Sequence, residues 1–397
     1  MASFTPRKNE NGRLSILPEE LVEQIASLLD PRGLSLCNMR LTCVHLYNKT
    51  LHRFGCTVLH TIRTDLNAYG LQRLVELADD SRLRDYVHVL FIAQLPTVQM
   101  GTGLAWTRDD SGVMNVGQQL GARWLRRALL SMVNCKSFVV QLNYAWERAK
   151  DLPFGPTDSI TIILSIIAEA GIAVKSFSVF SQPGMNIFAF NNVDGRRLHL
   201  PLLEEPAFIN AWAHIEKLRF DHNLIPDKVA QWVVKLIALA PNLKSLEIGF
   251  DYSVKAQLLM ARLATDPGSE LRELRFINAV EMKCDHLLTF LRFSRRTLRS
   301  LKLEHLQLVN GSWIDLLDEL PQFSLLDDLT LSWLSTGPKT ILHFPSLENP
   351  LAETAEAANF KLGSRRFRGF RKNMSVSYHG PSMALVLDAL LETSLED

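Results

Sequence analysis

Six side chains with metal-binding chemistry, Cys37, Cys43, His45, His52, Cys56 and His60, lie close together early in a chain of 397 residues. A tetrahedral zinc centre needs ligands converging from close pairs such as C-x-x-C, and none of Cys37, Cys43, Cys56, Cys135 and Cys284 forms such a pair. The spacing of His52, Cys56 and His60 fits one helix face, and the group reads as surface histidines and small packed cysteines. Gly101-Thr102-Gly103 begins like a dinucleotide loop, but Trp106 stands where its third glycine is required. The chain holds no P-loop, no G-x-S-x-G elbow and no H-E-x-x-H, and no spacing singles out an acid–base pair. A non-catalytic protein without a cofactor is therefore expected. One further run, Arg365-Arg366-Phe367-Arg368-Gly369-Phe370-Arg371-Lys372, interleaves cations with aromatic rings, a chemistry that grips phosphates and stacks bases. Against a formal net charge of +1 for the whole chain, it reads as a solvated loop or a docking strip for an acidic partner, not as a nucleic-acid module.

Composition narrows the class. With 47% hydrophobic and 21% charged residues the chain has enough apolar material to offset the entropy of ordering, which excludes a disordered protein. The length suits two or three domains, or one small domain joined to a long repeat array. An odd number of scattered cysteines points to a reducing compartment, and the polar first residues lack the apolar core of a secretory signal. An intracellular protein, cytoplasmic or nuclear, is expected. The most apolar stretch, Ile160 to Val174, is too short for a membrane span of about 20 residues and contains Glu169, so it reads as a buried helix.

Residues 14–55 carry a compact helical pattern. Leu21, Ile25, Leu28 and Leu29 fall on one stripe, Pro18 suits a helix start, and Glu19 and Glu20 follow where negative charge favours the helix dipole. Asp30-Pro31 ends this helix and opens a second, and a third apolar run holds Leu34, Leu36, Met39, Leu41, Val44, Leu46 and Leu51. Leu17-Pro18-Glu19-Glu20-Leu21, then Ile25, Leu28-Leu29-Asp30-Pro31, Leu34 and Arg40-Leu41-Thr42-Cys43, resembles the F-box family over about a tenth of the chain. Gly33 departs from the charged residue common before the leucine, which loosens the expected start of the second helix.

The resemblance implies docking on the Skp-type adaptor of a cullin–RING ubiquitin ligase, by helices laid against a partner groove. Carried over position by position, Leu17, Pro18, Leu21, Ile25, Leu28, Leu29, Leu34 and Leu41 become the adaptor-docking and F-box core residues. The alternative is a stand-alone repeat scaffold on which these helices serve only as a cap.

The second half repeats. Five segments read apolar-x-x-Leu-x-apolar, with central leucines Leu218, Leu246, Leu274, Leu301 and Leu329 at steps of 28, 28, 27 and 28. Helical patterns lie between them, with Asp227 and Ser312 at N-cap positions and Asp315 completing a capping box. Such strand–helix units bury their apolar faces only by stacking. The L-x-x-L-x-L core resembles leucine-rich repeats. The family's Asn appears only as Asn223, with Asp251, Ala279, Leu306 and Leu334 at the equivalent positions, so an irregular, helix-rich array is expected. Looser copies precede it at Tyr86-x-x-Val89-x-Phe91, Cys135-x-x-Phe138-x-Val140 and Val174-x-x-Phe177-x-Val179, with insertions at Met100 to Gly121 and Gln182 to Pro206.

The expected fold class is α/β: a disordered tail over 1–13, an F-box over 14–55, a curved leucine-rich-repeat-like solenoid over 56–335 with its regular repeats at 215–335, and an irregular cap with a last helix over 336–397. Alternation along the strands turns Lys217, Arg219, Ser245, Glu247, Glu273, Arg275, Ser300, Lys302, Asp328 and Thr330 to the concave face, where curved repeat proteins bind their targets. The mixed signs of these residues suit a protein surface better than a purely acidic target.

Overall fold

The computed structural model describes residues 13–29, 34–93, 99–142, 154–181, 193–221, 227–250, 256–265, 270–338, 340–367 and 370–396. Asp30, Pro31, Gly33, Asn223 and Asp251 lie outside these residues, as do residues 1–12 of the expected N-terminal tail and residues 182–192 of the insertion expected at Gln182 to Pro206.

Four short helices come first: α1 (Glu19–Ser27), α2 (Leu34–Arg40), α3 (Val44–Lys49) and α4 (Leu51–Phe54). Pro18 is the N-cap of α1, one position earlier than a first-turn proline, and its extended ψ of 151° turns the chain into the helix. The small core of this unit is Val22, Ala26, Leu36 and Leu46. Buried among them, Arg40 donates to Tyr47 O (2.8 Å) and Thr50 Oγ1 (3.2 Å), and its guanidinium lies over the Tyr47 and Phe54 rings. Contact with two rings and two oxygens at once suits the broad, many-donor guanidinium of an arginine; a lysine would present a point charge. The helix continues without a break from α4 through a π-helical turn, Gly55–Leu59, into the first strand, so the expected boundary at residue 55 falls inside a continuous element.

Strand and helix then alternate: β1 (Thr61–Thr64), α5 (Ala68–Asp79), β2 (Val89–Ile92), α6 (Leu120–Ser131), β3 (Ser137–Leu142), α7 (Pro156–Ala170), β4 (Ser176–Ser181), α8 (Pro206–Trp212), β5 (Lys217–Asp221), α9 (Asp227–Ala238), β6 (Ser245–Gly249), α10 (Gln257–Thr265) and β7 (Glu273–Ile277). There follow β8 (Met282–Lys283), α11 (Cys284–Phe293), β9 (Ser300–Glu304), β10 (Gln307–Asn310), α12 (Trp313–Glu319), β11 (Asp328–Ser332), β12 (Ser335–Thr336), β13 (Thr340–His343), β14 (Phe360–Phe367), β15 (Phe370–His379), α13 (Met383–Thr393) and β16 (Leu395–Glu396). The molecule is thus a mixed α/β protein built on one large, mostly parallel sheet of order β1-β2-β3-β4-β5-β6-β7-β9-β11-β15-β14.

Each parallel step moves one way across the sheet, and right-handed crossovers put the intervening helices on one face. The strands match their period-2 pattern to that face. Leu218, Leu246, Leu274, Leu301 and Leu329 are cross-strand partners in register and all buried, as their spacing predicts. Burying each such side chain contributes about 1.5–3 kcal/mol. The same row runs on through Phe177, Phe138, Leu90 and Ile62. The early copy is therefore Val87-x-x-Leu90-x-Ile92, one residue later than the expected one at Tyr86. A one-residue slip exchanges the faces of a strand, and Val87, Leu90 and Ile92 are the buried set. Ile62 adds a unit that the sequence reading lacked, 28 residues before Leu90.

The apolar run at Ile160–Val174 contains most of α7, whose residues Thr157 to Ala168 are all buried, as a core helix requires. Its N-terminal turn carries a carboxylate with no exposed surface: Asp158 accepts from Gly155 N (2.7 Å), Arg108 Nη2 (2.6 Å) and Arg197 Nη1 (3.5 Å). Both arginines come from the segments expected to be insertions, so Asp158 ties those segments to the core. Gly101 and Gly103 have φ of 71° and 80° and turn the first of these segments against the start of α5, where Ala68 N donates to Thr102 O (2.9 Å).

Beyond β7 the array is more regular than the missing Asn residues suggest. Asn278, His305 and Trp333 adopt left-handed φ of 61°, 56° and 56° directly after their strands and turn the chain into a second, five-stranded sheet, β16-β13-β12-β10-β8. Main-chain bonds such as Gln307 N to Ala279 O (2.8 Å) and Ser335 N to Leu306 O (2.9 Å) satisfy that edge without an Asn side chain. Ala279, Leu306 and Leu334, which stand at the Asn positions, are buried instead.

The C-terminal part is irregular over 344–356 and ends in the expected last helix, α13, but also contains strands. β14 and β15 are antiparallel, and β15 joins β11; Arg365 pairs with Lys372 and Phe367 with Phe370, so the basic run is strand on either side of Arg368 and Gly369, which lie outside the described residues. Glu396 closes the second sheet by accepting from Trp313 N (2.6 Å), Ser312 Oγ (3.0 Å) and Thr336 Oγ1 (3.2 Å). Among the described residues, no helix is long and apolar enough to cross a membrane.

Candidate partner-binding surfaces

Two surfaces can hold partners. The first is the N-terminal helical unit. Leu28, Leu34 and Leu41 are 87%, 67% and 82% exposed, Pro18 and Leu21 are exposed, and Leu17, Ile25 and Leu29 are half-buried. None of the eight residues carried over from the F-box motif is in the core of the unit. In α1 the buried stripe is Val22 and Ala26, one position over from Leu21 and Ile25, and α2 and α3 add the buried Leu36 and Leu46. Leu14, Ile16, Val44 and Tyr47 add to the exposed apolar set, so eight of the eighteen exposed large apolar side chains among the described residues fall between 14 and 47. Such crowding on a unit with so small a core makes these helices a candidate interaction surface. The unit is braced from behind, with Lys49 Nζ donating to Leu17 O and Arg53 N to Glu23 Oε1 (3.1 Å).

The second is the sheet face opposite the helices. Among the residues expected there, Lys217 and Glu273 are exposed and Arg219, Glu247, Arg275, Lys302 and Asp328 half-buried. Register places Arg219, Glu247, Arg275 and Lys302 in one row and Lys217, Ser245, Glu273, Ser300 and Asp328 in the next. Neighbours neutralise one another: Glu247 Oε1 lies 3.3 Å from both Arg219 Nε and Arg275 Nη1, Arg275 Nε is 2.8 Å from Glu304 Oε1, and Lys302 Nζ is 2.8 Å from Asp328 Oδ2. Burial works against the charge of Arg275, yet Glu304, Glu247 and Asp221 together hold its pKa above the ordinary guanidinium value. Desolvation pushes the Asp221 carboxyl up, opposed by Arg219.

The same face changes character toward β1. Phe91 and Phe180 meet edge to face at 6.1 Å between centroids, Arg63 lies over Phe91 and Arg219 over Phe180, each at 4.7 Å. Val89, Val139 and the hydroxyls of Ser137, Ser176 and Ser178 surround this cluster on half-buried positions. Sequence reasoning missed Arg63, Phe91, Phe180 and Glu304. The signal for Phe91 was hidden by the one-residue slip at β2, which put it in the core set. Arg219 joins the two halves, stacked on Phe180 and paired with Glu247.

The cysteine and histidine group does not converge. His60 stacks on His88 (5.0 Å), His52 reaches Tyr86 Oη (3.4 Å) and Cys56 Sγ (3.8 Å), and no set of three His, Cys, Asp or Glu among the described residues is placed to hold a metal ion. Burial pushes the Cys135 thiol up to about 12 and that of Cys284 up to about 11, which leaves both inert at neutral pH. No protein-family model matches the chain, and no curated protein matches it.

Proposed function

We propose that this protein is the substrate-recognition subunit of an SCF-type cullin–RING ubiquitin ligase, an F-box joined to a leucine-rich-repeat-like solenoid. The N-terminal helices dock on the Skp-type adaptor, and the open sheet face holds the target protein. Catalysis is by proximity: target lysines come within reach of a ubiquitin-charged enzyme bound elsewhere in the complex, and the chain supplies no bond chemistry of its own. The observation that carries this reading is the exposure of Leu21, Leu28, Leu34 and Leu41 around a separate core of Val22, Ala26, Leu36 and Leu46. A mere cap would turn those leucines inward.

The test is adaptor capture. The wild-type chain is expected to retain the Skp-type adaptor on a pull-down, and Leu17→Ala/Pro18→Ala to retain much less. Equal recovery by both proteins, or none by either, would favour a stand-alone scaffold.

A further inference from the structure

The residue immediately before each strand forms a row of its own along one edge of the large sheet. From β3 to β11, successive members are joined by main-chain hydrogen bonds, as from Lys175 N to Lys136 O (2.8 Å), Arg272 N to Lys244 O (2.8 Å) and Arg299 N to Arg272 O (2.7 Å). Strand spacing then sets neighbouring members about 4.8 Å apart. Five of the seven are cations: Lys136, Lys175, Lys244, Arg272 and Arg299. The two acids are engaged within the row, Glu216 with Lys244 (3.2 Å) and Asp327 with Arg299 (3.7 Å). This edge therefore keeps a formal charge of +3, from five cations and two acids, in a chain whose total is +1. Lys175, Arg272 and Arg299 are exposed. The hydrogen bond from Lys244, with the nearby charges of Lys175 and Lys217, holds the Glu216 carboxyl below its ordinary range.

Four of the cations are followed by serine, as Lys136-Ser137, Lys175-Ser176, Lys244-Ser245 and Arg299-Ser300. These hydroxyls open β3, β4, β6 and β9 on the partner-facing side of the sheet. At Lys136-Ser137 and Lys175-Ser176 a cation and an adjacent hydroxyl make a two-point contact for a carboxylate, whereas Ser300 Oγ already donates to Asp328 Oδ2 (2.7 Å) and Lys244 is paired with Glu216. Like charges on adjacent strands repel. In the free protein the helix C-termini at the same edge, such as those of α6 and α7, offset this with their partial negative charge.

We propose that this edge is a docking strip for an acidic peptide segment of the target protein. The proposal rests on the reading of the sheet face as a target-binding surface, and adds the chemistry of one part of the target. A nucleic acid fits the row less well. Three uncompensated charges fall short of the roughly 6–10 phosphate contacts that give strong binding, and no aromatic side chain interleaves the cations.

The full-length protein is titrated into a fluorescein-labelled peptide of alternating Glu and Ser, and binding is followed by anisotropy at low and physiological salt. Binding that weakens with salt is expected, and Lys136→Glu/Lys175→Glu is expected to weaken it about tenfold or more. Arg123→Glu/Lys228→Glu, on α6 and α9, makes the same change in net charge and is expected to leave binding unchanged. An equal loss in that control would overturn the proposal. So would tighter binding of a single-stranded oligonucleotide or of vesicles containing acidic phospholipid than of the peptide. A reversal that lowers the melting temperature but leaves peptide binding intact would mean that the row serves the helix ends alone. Adaptor capture is measured on the same proteins: wild-type protein that binds peptide but no adaptor would sink the ligase reading and leave the strip standing.

Discussion

Gly249 lies directly under the carboxylate of Asp221, its neighbour across the β5–β6 ladder: a β-carbon at 249 would stand 2.5 Å from Asp221 Oδ1. The missing side chain is what lets Asp221 lie down on the sheet, near Arg219 and the Glu247–Arg275 network. Gly249→Ala is expected to cost about 1–3 kcal/mol by forcing that carboxylate aside. Urea denaturation of the single and double variants checks this, because Gly249→Ala in an Asp221→Ala background should cost much less.

The same carboxylate sets a pH dependence. Desolvation raises the folded-state pKa of Asp221 above its unfolded value, so the folded protein binds the proton more tightly. Stability contributed by this group is present below the unfolded pKa and is lost as pH rises through the folded one. Asp221→Asn is expected to be more stable than wild type at neutral pH, with the difference closing below about pH 4. Parallel melting curves across that range would reveal the gap, and a gap that widens on acidification would refute it.

Asp158 is held by two arginines with no exposed surface of its own. Asp158→Ala would leave Arg108 and Arg197 without their shared counter-charge, and a loss of about 3–5 kcal/mol is expected. Limited proteolysis should then cut first in the segments that carry those arginines. Adaptor capture should survive, since the N-terminal helices form their own core.

In the N-terminal unit, exposure separates folding from docking. Leu28→Glu/Leu41→Glu changes two side chains that are almost wholly in solvent, and is expected to abolish adaptor capture without moving the melting temperature. Leu36→Ala empties a core position and is expected to cost about 2–5 kcal/mol. Circular dichroism melts alongside pull-downs distinguish the two outcomes.

Glu396 gathers the amide of Trp313 and the hydroxyls of Ser312 and Thr336. Glu396→Ala is expected to loosen β16 from the second sheet at a cost of about 1–3 kcal/mol. Ser312→Ala should cost about 1 kcal/mol through the lost N-cap bond to Ile314 N. A change in tryptophan emission before global unfolding would mark the local release.

Much of the large sheet could be read from the chain, because its buried row repeats with a fixed pitch from Leu218 to Leu329. The first unit was not legible, since Ile62 is followed at the next inward position by Thr64 and no apolar triplet marks the strand. The second sheet escaped for another reason: β8 and β12 are two residues long, too short to show any period, and are set by left-handed turns at Asn278, His305 and Trp333 that no residue type there demands. On the open face the charged residues were legible by alternation. Their pairing was not, because it depends on which strands are neighbours. In the N-terminal helices the sequence did not separate outward from inward apolar residues; the first helix packs on Val22 and Ala26 and leaves Leu21 and Leu28 outside.

The antiparallel hairpin β14–β15 has a consequence for how the molecule could change in size. A stack of parallel strands resembles a filament with two unlike ends, able in principle to accept another unit at either. Here β15 reverses the strand direction and β14 restores it, and after β15 the chain passes through α13 to β16 in the second sheet, so that end is occupied by a hairpin that belongs to no strand–helix repeat. At the other, β1 runs straight out of the N-terminal helix. Lengthening is thereby confined to the interior, and each inserted unit would carry the two ends apart by one strand spacing, about 4.8 Å. The sheet works as a ruler with both ends clamped: the distance between the N-terminal helices and the far edge is counted in whole strands.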